Sequence, residues 1–469
     1  MSGEVTDAIA AFACNAAIDD VPPAVLDRVR IHVLDTLGLA LAGSVSEAAA
    51  LLREHYVDQG IAANEARPGW ATIFGTLLFA PPRFAACANG AAVHADNFDD
   101  TTPQVRADRT GGIHASGAVL PAVLALAEAR DAPAEDVVVA YLVGVEVASR
   151  LNHAMAPRHY GDGFHTTGTL TVFGAAAAAA SLMRLDRPQI VHALALAASQ
   201  ASGIRRNFGT MAEILHPGHA AECGIAAADL AARGMTGASD ALDGPVGYFA
   251  AAGGAYDASE IVGKLGKPWV FESPGVWIKP FPNGALTHPA ASALLGLLTE
   301  HEVAAEDIRR IDVRTNARVL NTLIHHKPES AMQAKFSMEF TLAMMAVDRQ
   351  VGLGEFTDAA LERPDVRRMM DRVDYSSYDR ALAGYTNVTS LLEVELEDGR
   401  RLTRRADYAP GSSSAPMDLA AVAAKFRQCA TYGGFSDAEA RRIVDELGRS
   451  VLEFGNVAFW NRLRRKSAR

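Results

Sequence analysis

The sequence predicts a mainly α-helical fold, with a large all-helical domain built from both chain ends and a smaller α+β domain between them. Alanine-rich segments of helix length fill residues 1–268. Strand-like alternation appears only within residues 269–415, and helix-length segments return in residues 416–469. These three observations set the predicted domain boundaries, because each domain packs its helices and sheets around its own core.

The helical domain is predicted from segments that are apolar on nearly every side. Pro22-Pro23 opens a helix that stops at Gly43, because proline suits the first helical position and glycine ends helices. The other predicted helices cover residues 84–98, 116–130, 134–151, 169–185, 188–202 and 219–234. Helices without a polar face are buried all round, which indicates a large bundle.

The smaller domain is predicted from alternating segments. Residues 308–316 alternate, and so do residues 390–397 and 400–408, which Asp398-Gly399 joins as a hairpin. Residues 411–414 form a short Gly-Ser loop that is a candidate hinge or lid. The remaining predicted helices are residues 287–301, a stretch after Ala334, and residues 417–430 and 436–450, of which the last two are expected to pack back on the helical domain.

Composition limits the classes of function. Of the 469 residues, 49% are apolar, and the net charge of -11 argues against a nucleic-acid partner. The four cysteines are far apart without CxxC spacing, which argues against a disulfide framework or a cysteine-ligated metal. No basic run precedes an apolar segment at the N-terminus, and residues 174–182 are too few to span a bilayer. We therefore expect a cytoplasmic protein without a membrane partner.

Two polar clusters interrupt the helical half of the chain. The first comprises residues 94–101 and 114–116, where a histidine and several acids end a buried helix and must be paired or desolvated. The second comprises residues 161–169, a glycine-rich loop ahead of an apolar helix, where free N–H groups suit an anion and His165 suits proton transfer. The alternatives are capping acids on a solvated loop for the first and a plain N-cap loop for the second.

Two further clusters carry cations. Arg205 and Arg206 precede Glu213, and paired guanidinium groups are suited to gripping a carboxylate. Lys279 lies between Trp-Ile and Pro-Phe-Pro, with His288 beyond, so half-burial would lower its pKa and make it an acid or base. The alternative is a lysine whose ammonium group reaches solvent from a turn.

Known catalytic motifs of other classes are missing. The sequence contains no HExxH, GxSxG or Walker A motif, and no strand–GxGxxG–helix fingerprint. No metal or cofactor is therefore predicted. A metal hydrolase, with zinc bound by His216, His219 and Glu213, is an alternative of a different class.

The clusters together resemble the MmgE/PrpD family. HADNFDDT resembles its HxxDFDDT signature, and HAS followed by AVLPAVLALAE resembles its HPS…LPAALALAE continuation. GFHTTGT, ASQASGIRRNFGTM…LHPGHAA, WIKPFPNG, AKFSMEF and AAKFRQCA follow in the family order. The motifs extend over nearly the whole chain. The family includes 2-methylcitrate dehydratase, cis-aconitate decarboxylase and iminodisuccinate epimerase.

The resemblance implies a large helical domain, a smaller α+β lid domain, a homodimer, no metal requirement and an active site between the domains. Carried over by motif, His114, His165, Lys279 and Thr101 line that site, with His288 a weaker assignment.

Two positions depart from the family pattern. Asn97 stands where the family has the first Asp of DFDD, and Glu213 stands where GTM-x-K has lysine. The chain has no lysine before Lys264 that could replace it. A Lys-to-Glu exchange near a bound anion should cost several kcal/mol of affinity, on the order of Coulomb energies in proteins. This favours a substrate with fewer carboxylates or with an amino or imino nitrogen.

These observations predict a cofactor-free lyase of the hydratase/dehydratase type that acts on a small di- or tricarboxylic acid. His114 or His165 would be the base, and Lys279 the acid or the stabiliser of the resulting negative charge. Asn97, Thr101, Arg205, Arg206, Glu213 and His288 would bind the substrate. The alternatives are an isomerase or epimerase of an amino- or imino-dicarboxylate, a decarboxylase, and a degenerate member that only binds a ligand.

Overall fold

The computed structural model describes residues 3–103, 112–378, 383–449 and 457–464. Parts of the predicted C-terminal segment, residues 450–456 and 465–469, lie outside the described residues. The prediction of a mainly α fold is confirmed, since helices dominate and the strands form only small sheets.

The first half of the chain is helical apart from a short antiparallel pair, β1 (Ala71–Thr72) and β2 (Phe79–Ala80). The predicted helix that opens at Pro23 and ends at Gly43 is confirmed. The helices are α1 (Glu4–Asn15), α2 (Pro23–Gly43), α3 (Glu47–Asp58), α4 (Pro82–His94), α5 (Ala115–Arg130), α6 (Ala134–Ala154), α7 (Pro157–Gly161), α8 (Thr166–Leu182), α9 (Arg187–Ala198), α10 (Met211–Ala232) and α11 (Tyr248–Gly253).

Small residues allow these helices to approach closely. Gly144 of α6 and Gly174 of α8 face each other, and a Cβ atom added at Gly174 would lie 2.5 Å from the carbonyl oxygen of Gly144. The alanines at positions 175–180 of α8 are fully buried. Because no side chain separates the backbones here, an alanine at either glycine would force the two helices apart.

The second half contains a four-stranded sheet in the order β4-β3-β5-β6. The strands are β3 (Ile308–Thr315), β4 (Val373–Ser377), β5 (Ser390–Leu396) and β6 (Arg401–Ala406). β5 and β6 pair antiparallel from Ser390↔Ala406, which confirms the predicted hairpin, and β4 pairs parallel with β3. The helices are α12 (His288–Glu300), α13 (Ala317–Leu320), α14 (Ala331–Ala334), α15 (Met338–Asp348), α16 (Asp358–Glu362), α17 (Pro364–Met370), α18 (Leu419–Tyr432), α19 (Asp437–Arg449) and α20 (Val457–Arg462).

The buried apolar residues form two clusters. One extends from α1 to Ile278 and resumes at α18, where Phe426 packs against Gly38 of α2. The other extends from α12 to β5, with α12 and α15 packed on the sheet. Trp269 and Ile278 lie in the first cluster. The exact domain boundaries remain a prediction.

Within the described residues, no single helix has both the length and the hydrophobicity needed to cross a membrane. Only α2 and α3 taken together, as a pair bent by 78°, meet both criteria.

Candidate active site

The structure brings seven of the nine residues in the predicted site to one cavity. Its wall includes residues from both apolar clusters, among them Ile278 and Leu323. The predicted site residues that line the cavity are Asn97, Thr101, His114, His165, Glu213, Lys279 and His288. Residues that are far apart in the sequence therefore share one small space.

The two imidazoles lie at helix starts. His114 is the N-cap residue of α5 and His165 is the N-cap residue of α8. Both helices are long and apolar, and they begin at the cavity wall. The positive ends of their dipoles favour a bound anion and disfavour a protonated imidazole.

The hydrogen bonds of His114 fix which nitrogen is basic. Its Nδ1 lies 2.6 Å from the carbonyl oxygen of Asp100 and 3.2 Å from Oγ1 of Thr101. Since a carbonyl oxygen only accepts hydrogen bonds, Nδ1 carries the proton and Nε2 of the neutral ring holds the lone pair. Burial lowers the pKa of His114 to about 4, although the nearby Asp99 carboxylate acts to raise it. His114 is therefore a neutral imidazole at physiological pH and can accept a proton.

His165 is held by a second histidine. Its Nδ1 lies 2.7 Å from Nδ1 of His216, so one ring donates and the other accepts. Its ring also lies edge-on against Phe208, with 4.8 Å between centroids. Burial, followed by the nearby charge of His94, lowers the pKa of His165 well below its ordinary value. It too is neutral in the folded protein.

Lys279 presents a buried ammonium group to the cavity. The side chain is only 3% exposed, and Nζ donates to the backbone oxygen of Asn97 at 2.7 Å and to its Oδ1 at 3.0 Å. Burial lowers the pKa of Lys279 to about 8, although Asp99 and Glu213 oppose this shift. The group is mostly charged at neutral pH, yet it can give up a proton more readily than an exposed lysine.

A buried carboxylate lies beneath the histidines and the lysine. Asp99 accepts a hydrogen bond from Nδ1 of His94 at 2.8 Å, and its other oxygen lies 3.7 Å from Nδ1 of His114 and 3.9 Å from Nζ of Lys279. Burial alone would raise the pKa of Asp99, but its interactions with His114, His94 and Lys279 outweigh burial and lower the pKa. Asp99 is therefore an anion that balances these groups.

The two residues that depart from the family pattern contact each other. Nδ2 of Asn97 donates to Oε1 of Glu213 at 3.0 Å, while Oδ1 of Asn97 accepts from Lys279. The backbone of Asn97 is left-handed, with φ at 54°, a conformation that asparagine tolerates better than most residues. The Asn97 amide thus links the Glu213 carboxyl group to the Lys279 ammonium group at the cavity wall.

Backbone pairing and one buried lysine hold these segments in place. Thr101 and Trp277 exchange two backbone hydrogen bonds of 2.8 Å, which ties the 94–101 cluster to the strand-like segment that carries Lys279. Lys425 of α18 donates to the backbone oxygens of Phe98 and Lys279, and its Nζ lies 2.8 Å from Asp35. The C-terminal part of the chain is therefore needed to build the site.

Sequence reasoning did not include Lys425, His94 and Asp99 in the site. Lys425 shares the buried side of α18 with Val422 and Cys429, three residues before it and four after it. A charged residue at such an apolar spacing is a detectable signal for a buried ion pair. His94 and Asp99 lie in the predicted polar cluster, where sequence could not rank one histidine above another.

The paired arginines do not line the cavity. The Arg205 guanidinium donates to the backbone oxygen of Tyr160 and stacks on its ring, 3.9 Å from the centroid. Arg206 is exposed. Their role as a carboxylate clamp remains a prediction that no contact with this cavity supports.

His288 and the 411–414 loop also contribute to the cavity wall. Nε2 of His288 lies 2.8 Å from Oδ1 of Asn283, and burial lowers the pKa of His288. In the 411–414 loop, Gly411 accepts a hydrogen bond from the backbone N–H of Ile278, and Ser412 lines the cavity. The loop is attached to the segment that carries Lys279, and its role as a hinge or lid remains a prediction.

The two histidines of the alternative zinc site contact different partners. His216 pairs with His165, whereas His219 contacts the sulfur of Cys223 at 3.4 Å. In the part of the chain that the structure describes, no group of three or more His, Cys, Asp or Glu side chains is arranged to hold a metal ion.

Comparison with known proteins gives consistent matches over the chain. The MmgE/PrpD N-terminal domain model matches residues 7–261, and the MmgE/PrpD C-terminal domain model matches residues 281–448. Cis-aconitate decarboxylase of Homo sapiens is 29% identical over 438 residues, covering 91% of this chain and 88% of its own length. Cis-aconitate decarboxylase of Aspergillus terreus is 26% identical over 472 residues, covering 94% and 92%.

Proposed function

Because the chain belongs to the MmgE/PrpD family, we propose that it is a cofactor-free lyase that removes a proton next to a carboxylate of a small di- or tricarboxylic acid. Dehydration is the reaction that we propose first. The observation that carries the proposal is the convergence of a buried ammonium, Lys279, and two neutral imidazoles, His114 and His165, on one cavity. Acid–base chemistry on a carboxylic acid needs these groups together.

His114 is the proposed base. Its Nδ1 proton is held by the Asp100 carbonyl, which leaves the Nε2 lone pair for the substrate. Its low pKa keeps it neutral, and Asp99 stabilises the imidazolium that forms when the proton is taken. His165 is the alternative base. Its Nδ1 pairs with His216, so Nε2 is the nitrogen that would accept the substrate proton.

Lys279 is the proposed stabiliser of the transient charge. Removing a proton next to a carboxylate creates an enolate-like anion, and a buried ammonium group stabilises it far more strongly than a hydrated one would. The hydrogen bonds to Asn97 hold the ammonium in position before substrate arrives. The positive ends of the α5 and α8 dipoles at the cavity wall favour a second anionic group.

Dehydration then breaks a carbon–oxygen bond. The base takes a proton from carbon, the electron pair forms the double bond, and the hydroxyl leaves with a proton as water. A decarboxylase is the second candidate, because the curated relatives are named cis-aconitate decarboxylase. Epimerisation of an amino- or imino-dicarboxylate uses the same carbanion, and Glu213 at the cavity wall is the residue that would favour such a nitrogen.

Several other parts of the proposal concern organisation. We propose that the two apolar clusters are the cores of the predicted helical and α+β domains, with the cavity between them and the smaller domain acting as a lid. We also propose a homodimer that works in the cytoplasm on a small carboxylate substrate. Chromatography with light scattering on the purified chain tests the homodimer.

A deuterium-exchange screen tests the function. The purified chain is incubated in D₂O with hydroxy, amino and unsaturated di- and tricarboxylates, and NMR and mass spectrometry follow deuterium incorporation. Dehydration is expected to give an alkene that absorbs in the ultraviolet, whereas decarboxylation releases CO₂ and epimerisation scrambles the stereocentre. Lys279→Met is the negative control. If no substrate in the screen gives exchange or product above this control, the proposed function is wrong.

A further inference from the structure

Glu213 is a buried carboxyl group that the proposed mechanism does not yet use. It lies in the first turn of α10, lines the cavity and is 4% exposed. Oε2 accepts a hydrogen bond from the backbone N–H of Gly209 at 2.9 Å, and Oε1 accepts one from Nδ2 of Asn97 at 3.0 Å. Both partners are neutral, so neither supplies the charge that usually accompanies a buried carboxylate.

The orientation of the Asn97 amide is determined by its two partners. Lys279 can only donate hydrogen bonds, so the atom facing it must be the amide oxygen. The amide nitrogen then faces Glu213 and donates to it. Asn97 therefore connects Glu213 to Lys279 without transferring a proton between them.

His94 is the group that can exchange a proton with Glu213. Its Nδ1 faces the ionised Asp99, which only accepts, so this nitrogen carries a proton. Its Nε2 is buried, lies 3.8 Å from Oε1 of Glu213, and has no hydrogen-bond partner among the described residues. The 3.8 Å separation is longer than a hydrogen bond, so a proton passes between His94 Nε2 and Glu213 Oε1 when the two side chains move closer or a water molecule bridges them.

We propose that Glu213 is the catalytic acid that protonates the leaving hydroxyl group, and that His94 returns the proton to it after each turnover. This rests on the proposed dehydration. The base takes one proton from carbon, the carbon–oxygen bond breaks, and the Glu213 proton goes to the departing oxygen to form water. The proton held by the base is released to solvent, His94 takes up one proton from solvent at Nε2, and this proton passes to the Glu213 carboxylate, which closes the balance.

The charges around the site favour the acid form of Glu213 when substrate is bound. Burial raises the pKa of Glu213, although His94 and the Gly209 N–H act against the shift. A substrate carboxylate that binds near Lys279 adds negative charge close to Glu213, and like charges disfavour ionisation. Binding of substrate should therefore be accompanied by proton uptake.

The test compares two leaving groups in one substrate. Departure of hydroxide needs an acid, whereas chloride leaves without one. The substrates are the hydroxy acid that the wild-type chain dehydrates, with malate tried first, and the same acid with chlorine in place of the hydroxyl. For Glu213→Gln, we expect kcat for water elimination to fall at least 100-fold and kcat for chloride elimination to fall less than tenfold. Glu213→Asp, which keeps a displaced carboxyl, should lie between the two.

Controls separate the acid role from folding and from the proposed function. Thermal unfolding of both Glu213 variants is measured, and Glu213→Asp serves if Glu213→Gln does not fold. For His94→Gln, we expect the pH profile of water elimination to shift while chloride elimination keeps its profile. Equal losses on both substrates in the Glu213 variants would overturn the inference. The inference would also be overturned if the wild-type chain exchanges deuterium but dehydrates no hydroxy acid. If the wild-type chain is inactive with every substrate, the proposed function itself is wrong.

Discussion

The two walls of the cavity differ in the charge that their side chains carry. The imidazole wall, His114 and His165, is neutral because burial and two helix starts disfavour protonation. The lysine wall, Lys279 with Asn97 and Glu213, keeps ionisable groups in the same buried space by hydrogen-bonding them to one another. The imidazole wall is therefore uncharged, whereas the lysine wall holds its ionisable groups in hydrogen bonds to one another.

This difference indicates how each wall responds to substitution. Changes on the imidazole wall remove a proton acceptor and leave little unpaired charge behind. Changes on the lysine wall alter the charges that a bound carboxylate meets. Loss of Lys279 also leaves the Asn97 oxygens without their donor, while Asp99 keeps its hydrogen bond from His94. The predictions below use this contrast, from the largest expected effect to the smallest.

Replacing Lys279 by methionine should lower kcat by about 10³-fold or more, because the transient anion loses its buried ammonium group. Methionine fills a similar volume but leaves the Asn97 oxygens without their donor, so we expect the free energy of unfolding to fall by about 1–3 kcal/mol. Steady-state kinetics and calorimetry measure the two quantities. Turnover within tenfold of wild type would refute the role of Lys279.

Lys425→Met is a matched control for that variant. Lys425 is also a buried lysine, but it forms an ion pair with Asp35 and does not line the cavity. Removing it leaves a buried carboxylate unpaired, which typically costs about 3–5 kcal/mol. Lys425→Met should therefore lose more stability than Lys279→Met, because it unpairs a carboxylate rather than neutral oxygens.

The imidazole wall should respond with a loss of proton transfer alone. We expect His114→Asn to lower the rate of deuterium exchange by about 10²–10³-fold, in the range typical of general bases. His165→Asn should lower it less, because His114 keeps its bond to Asp100. Exchange rates by NMR decide between them. A larger loss for His165→Asn would reverse the assignment of the base.

The sequence was sufficient for the parts of the fold that local chemistry determines. Proline and glycine delimit α2, and Asp398-Gly399 makes the β5–β6 turn. The family resemblance also placed His114, His165 and Lys279 in one site, and the structure brings them to one cavity. β4 was not predicted, since its five residues alternate too briefly and pair with residues of β3 that lie 62 positions earlier.

Contacts over long sequence separations could not be predicted in the same way. Asn97 and Glu213 are 116 positions apart, so the sequence did not indicate that these two departures from the family motif contact each other. The structure shows one hydrogen-bonded pair instead. Arg205 and Arg206 have the residue types of a carboxylate clamp, but the chain directs one to the Tyr160 ring and exposes the other.

The pH dependence of kcat/KM should differ between the walls. Above about pH 8, Lys279 loses its proton, and the loss of its charge should lower kcat/KM by up to tenfold per pH unit. On the acid side, His114 stays neutral until about pH 4, so its protonation should not limit activity between pH 5 and 8. A profile across pH 4–10 measures both limbs. An alkaline limb that persists unchanged in Lys279→Met would assign it to another group.

The smallest effect is expected outside both walls. Arg206→Ala should change kcat/KM by less than about twofold, because Arg206 is exposed, does not line the cavity and lies where substitutions usually have small effects. Arg205→Ala should have a somewhat larger effect, since it removes the cation stacked on Tyr160, which does line the cavity. Kinetics at several substrate concentrations separates KM from kcat. A large rise in KM for Arg206→Ala would mean that a substrate carboxylate reaches beyond the lysine wall, and it would restore the arginine clamp that the sequence suggested.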